Sequence, residues 1–180
     1  MRWFWIDKFV EFECGRRAVA VKNVSYAEEQ IPEYSLSVPM MPTSLIIEGL
    51  AQTAGLLAGA SSQFRERVVL AKLGKAVFYD FAEPGDTLRY TAELQDVRAT
   101  GAIANCTVHR GEQLLGEVQM VFAHLDDRFA GVELFSPLDF LGMLRSFRVF
   151  EVGKDVDGSP LRVPPHLLEC ERAVAPAAGL

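Results

Sequence analysis

A glutamate and a glutamine four residues apart, Glu48 and Gln52, interrupt the otherwise apolar run from Met41 to Leu57, MPTSLIIEGLAQTAGLL. At helical spacing their side chains share one face. A carboxylate in so apolar a setting is costly unless it is paired, protonated or used in chemistry. Two readings of Glu48 follow: an acid in a reaction, or a buried carboxyl satisfied by a loop or a neighbouring subunit. The other groups with useful chemistry are dispersed. His109 and His124 fall on or at the ends of expected strands and His166 in a proline-rich tail, which suits surface or packing roles. His124 is the first of the three to examine, because a strand end can reach a neighbouring site. Cys14, Cys106 and Cys170 are odd in number and contain no CxxC pair, so neither a disulfide framework nor a zinc site is expected.

The run that carries Glu48 must be placed by the rest of the chain. Its apolar residues fall on every side of a helical wheel, so the spacing predicts a helix buried nearly all round. Thr43 or Ser44, after Pro42, is placed to cap its start, and Gly59 with Ser61 and Ser62 to end it, for about four to five turns. Before it, Trp3 to Phe12 and Arg16 to Val24 read as strands turning at Cys14-Gly15, and the prolines Pro32, Pro39 and Pro42 mark a long irregular loop into the helix. After it, Val68 to Asp80 reads as a strand with a glycine bulge, Glu83-Pro84-Gly85-Asp86 as a turn, and Thr87 to Val97 as a half-buried strand. In that last strand Leu88, Tyr90, Ala92 and Leu94 share one face. Gly101 to His109 and Gln113 to His124 complete an antiparallel meander. About six strands with one long apolar helix imply an α+β fold in which the sheet curls round the helix. Pro137 to Val149 has the spacing of a short amphipathic helix, and beyond Gly153 the chain reads as a Pro/Ala-rich tail draped on the domain. The division expected is 1–125 for the sheet-and-helix domain and 126–180 for an extension packed on or beside it.

At 180 residues the chain is long enough for one core that needs no disulfide or metal, and a formal net charge of -6 argues against general nucleic-acid binding. The N-terminus reaches Asp7 before it forms the apolar segment of a signal peptide, and the central helix is too short and polar for a membrane span. A cytoplasmic setting is expected.

Three stretches, WIDKFVEFECGRRAVAVKNVS, PMMPTSLIIEGLAQTAGLL and KAVFYDFAEPGDTL, together resemble the FabZ/FabA group of 3-hydroxyacyl-acyl carrier protein dehydratases over roughly Trp3 to His124. The resemblance implies a hotdog fold, a long central helix wrapped by an antiparallel sheet. It also implies a homodimer, or a trimer of dimers, whose active sites draw residues from both subunits. In that family a loop histidine removes a proton from C2 of the thioester, a helix carboxylic acid helps the C3 hydroxyl leave as water, and an amide at the helix N-terminus holds the thioester oxygen. No cofactor is needed. Such chemistry calls for a base titrating near neutrality, an acid kept protonated by burial, and a helix N-terminus facing the developing negative charge.

Carried over, Glu48 matches the family carboxylate, Gln52 the glutamine one turn on, and Thr43 the residue whose amide follows Met-Pro. The family loop reads HFPGxPxMPG, and here Tyr34 occupies the histidine position. A phenol with an ordinary pKa of about 10 is a poor general base, so the resemblance is compatible with dehydration that is reduced or lost. Tyr34 is then a donor, a base or a packing aromatic. Phe78 and Phe81, with Tyr79, read as lining of an acyl tunnel or as simple core. Arg65, Arg67, Lys72 and Lys75 would face an acidic carrier protein or form a solvated charged face. The partner implied is an acyl thioester on acyl carrier protein or coenzyme A. A hotdog thioesterase, with Glu48 activating water or acting as nucleophile, and a non-catalytic acyl-binding or partner module are the alternatives.

Overall fold

The computed structural model describes residues 3–31, 38–125 and 136–174. Its centre is the helix α1, Thr43–Ala60, whose Leu45, Ile46, Leu50, Ala54, Leu57 and Ala58 are buried. Around it curls a sheet built from β1 (Lys8–Glu13), β2 (Arg17–Asn23), β3 (Arg67–Phe78), β4 (Thr87–Arg98), β5 (Gly101–Arg110), β6 (Gln113–Leu125) and the two-residue β7 (Gly153–Lys154), in the order β3-β6-β5-β4-β2-β1-β7. The first six pair antiparallel and β7 joins β1 in parallel. This is the hotdog fold, with a C-terminal extension that carries three helices among the described residues. As the alternation predicts, Leu88, Tyr90 and Ala92 on β4 point into the core, and they face Lys22, Ala20 and Ala18 across the ladder with β2. Gly74 on β3 lies where the register with β6 slips between Leu73 and Lys75, the bulge that the glycine suggested.

Several boundaries differ from the sequence reading, each for a physical reason. The first strand starts at Lys8 rather than Trp3. The Trp3 carbonyl and the Trp5 amide are bonded to the Gln52 side chain instead of to a neighbouring strand. The cap of α1 is Pro42 and no side chain bonds to the helix start, so neither Thr43 nor Ser44 serves as a hydroxyl cap. The helix expected over 137–149 ends at Ser146 as α2 (Pro137–Ser146). Arg148 turns left-handed (φ 60°), and a single turn, α3 (Val149–Val152), follows. The tail carries a helix as well, α4 (Pro165–Val174), since a proline in the first turn lacks only an amide that would have no intrahelical partner.

The extension is bound to the domain rather than merely laid on it. Phe140 and Phe150 place their ring edges against Phe64, at 5.8 and 6.4 Å between centroids, just past the end of α1. Arg145 on α2 bonds both carboxylate oxygens of Glu171 on α4. Through β7 the extension also covers the β1 edge, where the Cys14 amide donates to the Lys154 carbonyl at 2.9 Å. Among the described residues no helix is long and apolar enough to cross a membrane.

Candidate active site

Glu48 and Gln52 stand one turn apart on the half-buried face of α1. The Gln52 Nε2 donates to Glu48 Oε1 at 3.0 Å and to the Trp3 carbonyl at 2.8 Å, while its Oε1 accepts from the Trp5 amide at 2.9 Å. An amide side chain can present either end to a neighbour, but only one orientation satisfies an N–H donor and a carbonyl acceptor together. The N-terminal segment therefore fixes the amide, and the amide aims a donor at Glu48. One carboxyl oxygen is held in this way. This support was not read from the sequence, where Trp3 to Asp7 looked like strand; the aromatic run signals burial but not the bonding of its backbone.

Seen from Glu48, the start of α1 lies five residues back, about 7.5 Å along the axis. With Pro42 as cap, the geometry of the first turn leaves the Thr43 and Ser44 amides without intrahelical acceptors, and no acidic residue stands in that turn to offset the positive end of the helix. Thr43 itself is half-buried, between buried Pro42 and exposed Ser44. The segment before it is anchored by the Met41 amide, which donates to the Ala82 carbonyl at 2.8 Å. Tyr34 lies outside the described residues. The stretch leading to it is fastened by Lys22, a buried lysine whose ammonium pairs with Glu28, donates to the Asn23 carbonyl at 2.8 Å and stands 3.7 Å from Asp7.

The two candidate tunnel aromatics part company. Phe78 is half-buried against the core, in contact distance of Gly116 on β6, whereas Phe81 is 57% exposed on the β3–β4 connection, as is Tyr79, whose hydroxyl donates to Glu117 at 2.7 Å. None of the three histidines reaches Glu48. His109 stands on β5 outside the run of buried Ala102, Ala104, Cys106 and Val108. His124 lies at the far end of α1, with Nδ1 2.7 Å from Glu66. His166 on α4 lies near Arg65, whose charge, after burial itself, holds the imidazole below its usual range. Of the four candidate docking cations, Arg65, Lys72 and Lys75 are exposed and Arg67 is half-buried. Two shallow depressions, one lined by Asp96, Arg98, Gly101 and Phe122 and one by Arg16, Arg17 and Glu93, involve none of the candidate residues.

Under the site, Tyr90 is fully buried against the backbone of Gly49, and its hydroxyl has no hydrogen-bond partner among the described residues. Burial, then the Asp7 and Glu28 charges, push its phenol far above the usual range, so it stays neutral. An unsatisfied buried hydroxyl costs about 1–3 kcal/mol. Tyr90→Phe is accordingly expected to leave stability unchanged or raise it by up to about 1 kcal/mol. A thermal melt checks this, and a clear loss of stability would mean that the hydroxyl has a partner.

Residues 4–119 match the FabA-like domain family. The chain is 34% identical over 119 residues to the 3-hydroxyacyl-[acyl-carrier-protein] dehydratase FabZ of Desulforamulus reducens, covering 66% of this chain and 84% of that protein. It is 33% identical over 119 residues to the dehydratase of the same name from Clostridioides difficile, with the same two coverages. Among solved structures, a Streptococcus mutans protein bound to acetyl CoA superposes with a TM-score of 0.55 at 16% identity, over 66% of this chain and 87% of the other, a likeness of fold.

Proposed function

Because the chain belongs to the FabA-like domain family, we propose that it binds a 3-hydroxyacyl thioester on acyl carrier protein or coenzyme A and eliminates water from it, as a (3R)-hydroxyacyl-[acyl carrier protein] dehydratase-like protein. The observation that carries the reading is the fixed Glu48 carboxyl, with Gln52 donating to one oxygen and the start of α1 opening nearby. In the proposed reaction the thioester oxygen accepts from the Thr43 amide, which stabilises the enolate-like charge that builds there. The Tyr34 oxygen, in its phenolate form, takes the C2 proton and becomes the neutral phenol. Glu48, as the acid, gives its proton to the departing C3 hydroxyl, so that enoyl thioester and water leave together. Gln52 holds the acid, and Phe78 and Phe81 stand at the acyl side.

A phenol where the family resemblance calls for an imidazole is expected to cost about 10² to 10⁴ in rate, so turnover would be slow. The test incubates the purified protein with a 3-hydroxyacyl thioester and follows enoyl absorbance and free thiol together. Enoyl product supports dehydration; free thiol without enoyl would make the protein a thioesterase; tight acyl binding without either would make it a binding module.

The assembly proposed is a homodimer through β3. With β7 covering one end of the sheet, the outer edge of β3 is the long strand edge left unpaired among the described residues, and Leu70 and Leu73 on it are each 39% exposed. A second copy paired there would add to each site the side chains that a single chain lacks. Leu73→Lys is expected to shift light-scattering mass from a dimer to the 19.9 kDa monomer. A monomeric parent protein, or an unaffected variant dimer, would refute this edge as the interface.

A further inference from the structure

We propose that Arg110 is a positioning residue for the start of α1, acting through the β3–β4 connection on the Met41 amide and so on the Pro42–Thr43 turn; this rests on the dehydratase reading above. Arg110 is the last residue of β5, and no charge pattern in the sequence singles it out. Its guanidinium nevertheless makes four contacts. Nη1 donates to the Phe81 carbonyl at 3.2 Å and to Asp86 Oδ2 at 3.0 Å, and Nη2 donates to Asp80 Oδ2 at 3.0 Å and to Gln113 Oε1 at 2.8 Å. The Gln113 amide closes the ring by donating to the same Asp80 oxygen at 2.8 Å.

Every acceptor except Gln113 belongs to residues 80–86, the connection whose Ala82 carbonyl takes the Met41 amide at 2.8 Å. The same connection is held to the residue just after β2 by the Gly85 amide donating to the Val24 carbonyl and the Val24 amide donating to the Asp86 carbonyl, both at 2.9 Å. Two local turns, Asp80 accepting from the Phe81 amide and Asp86 accepting from the Glu83 amide, shape the connection without tying it to another strand. Arg110 supplies three of the bonds that tie the connection to the β5–β6 hairpin, beside the Gln113 bond to Asp80 and the Tyr79 amide bond to the Leu115 carbonyl on β6. Ala82, fully buried, then serves as a rigid post against which the chain enters α1.

A planar fork suits this task, since it reaches a carbonyl and two carboxylates at once in fixed directions, which a lysine cannot do. The consequence is catalytic because an oxyanion donor must lie about 2.7–3.1 Å from its oxygen, and a misplacement of about 1 Å can cost about 10²-fold. A clamp that only stabilised the fold would move melting temperature and leave kcat alone. One that positions the Thr43 amide moves kcat while KM, set by contacts with the rest of the substrate, changes little.

The experiment compares the parent protein with Arg110→Ala, Arg110→Lys and Asp80→Asn in two measurements. The first is hydrogen exchange resolved at the Met41 amide; the second is kcat and KM for a 3-hydroxyacyl thioester. In Arg110→Ala, Met41 exchange should accelerate at least tenfold while the amides of Leu50 to Ala58 stay protected. Its kcat should fall about ten- to a hundredfold with KM within about threefold, and Arg110→Lys should recover part of both. If Arg110→Ala does not fold, Asp80→Asn, which keeps an acceptor for the Phe81 amide, should show the same changes more weakly. Parent-level exchange at Met41 overturns the proposal, as does faster exchange throughout α1 or an unchanged kcat. If the parent protein shows no turnover, the dehydratase reading fails, and exchange at Met41 alone still decides whether Arg110 holds the turn.

Discussion

Glu48→Gln is expected to lower enoyl formation from a 3-hydroxyacyl thioester by about 10² to 10⁴, the usual cost of losing a positioned acid or base, with KM and melting temperature close to those of the parent. The substitution is informative because it changes so little else. A glutamine of nearly the same shape keeps an oxygen that can accept from Gln52 Nε2, so the chain of bonds from Trp3 and Trp5 through Gln52 survives. What it removes is the proton that would go to the leaving hydroxyl. A fall in kcat at constant KM assigns Glu48 to the transition state rather than to substrate binding. A rise in KM at constant kcat would make Glu48 a binding group, and enoyl formation at the parent rate would place the acid elsewhere. The variant also separates the rival readings. Were Glu48 a general base or nucleophile for hydrolysis, the loss would appear in free thiol instead.

How far the sequence carried this picture depends on the kind of signal. Period-two alternation found β4 because Leu88, Tyr90 and Ala92 are buried on one side while Thr87 and Arg89 face out. The apolar run found α1 because a helix at the centre of a core leaves a compositional mark, but burial nearly all round was too much to expect: Ser44 is exposed and Ile47, Glu48, Gln52, Gly55 and Leu56 are half-buried. The pairing of Glu48 with Gln52 was legible because four-residue spacing on a helix fixes a shared face. Contacts between distant parts of the chain left no such mark. Nothing in the spacing of Trp3 and Trp5 tells that their backbone would orient Gln52, nor that Arg110 would gather Asp80 and Asp86. The α4 helix was missed because its prolines read as punctuation, although Pro165 stands where a helix tolerates one. Prolines and alanines report local stiffness; whether the segment docks is decided by partners elsewhere in the chain, such as Arg145 on α2, which bonds Glu171 on α4.

Two glycines of α1 should respond in opposite directions to the same change. At most exposed helix positions glycine is about 0.5–1 kcal/mol worse than alanine, so replacing it ought to help. At Gly55 a methyl group would meet the Phe122 ring, Cε1 at 3.4 Å and Cδ1 at 3.9 Å, both ordinary contacts, and Gly55→Ala should therefore stabilise the protein or leave it unchanged. At Gly49 the same methyl would lie 2.5 Å from Tyr90 Cε2 and 2.8 Å from the Trp5 carbonyl oxygen. Tyr90 is fully buried and has no room to withdraw, and the Trp5 oxygen is backbone. Overpacking of this kind typically costs about 1–3 kcal/mol, more than the propensity gain. At about 2–4 °C per kcal/mol for a chain of this size, Gly49→Ala should melt several degrees below the parent. Function should suffer as well, because a displaced Trp5 releases its amide from Gln52 and frees the donor held against Glu48. Tyr90→Leu in the same chain tests the cause: with the ring gone, the penalty at Gly49 should shrink, giving a non-additive cycle. Equal stability of the two alanine variants would show that α1 does not lie as close to β4 and the N-terminal segment as these distances place it.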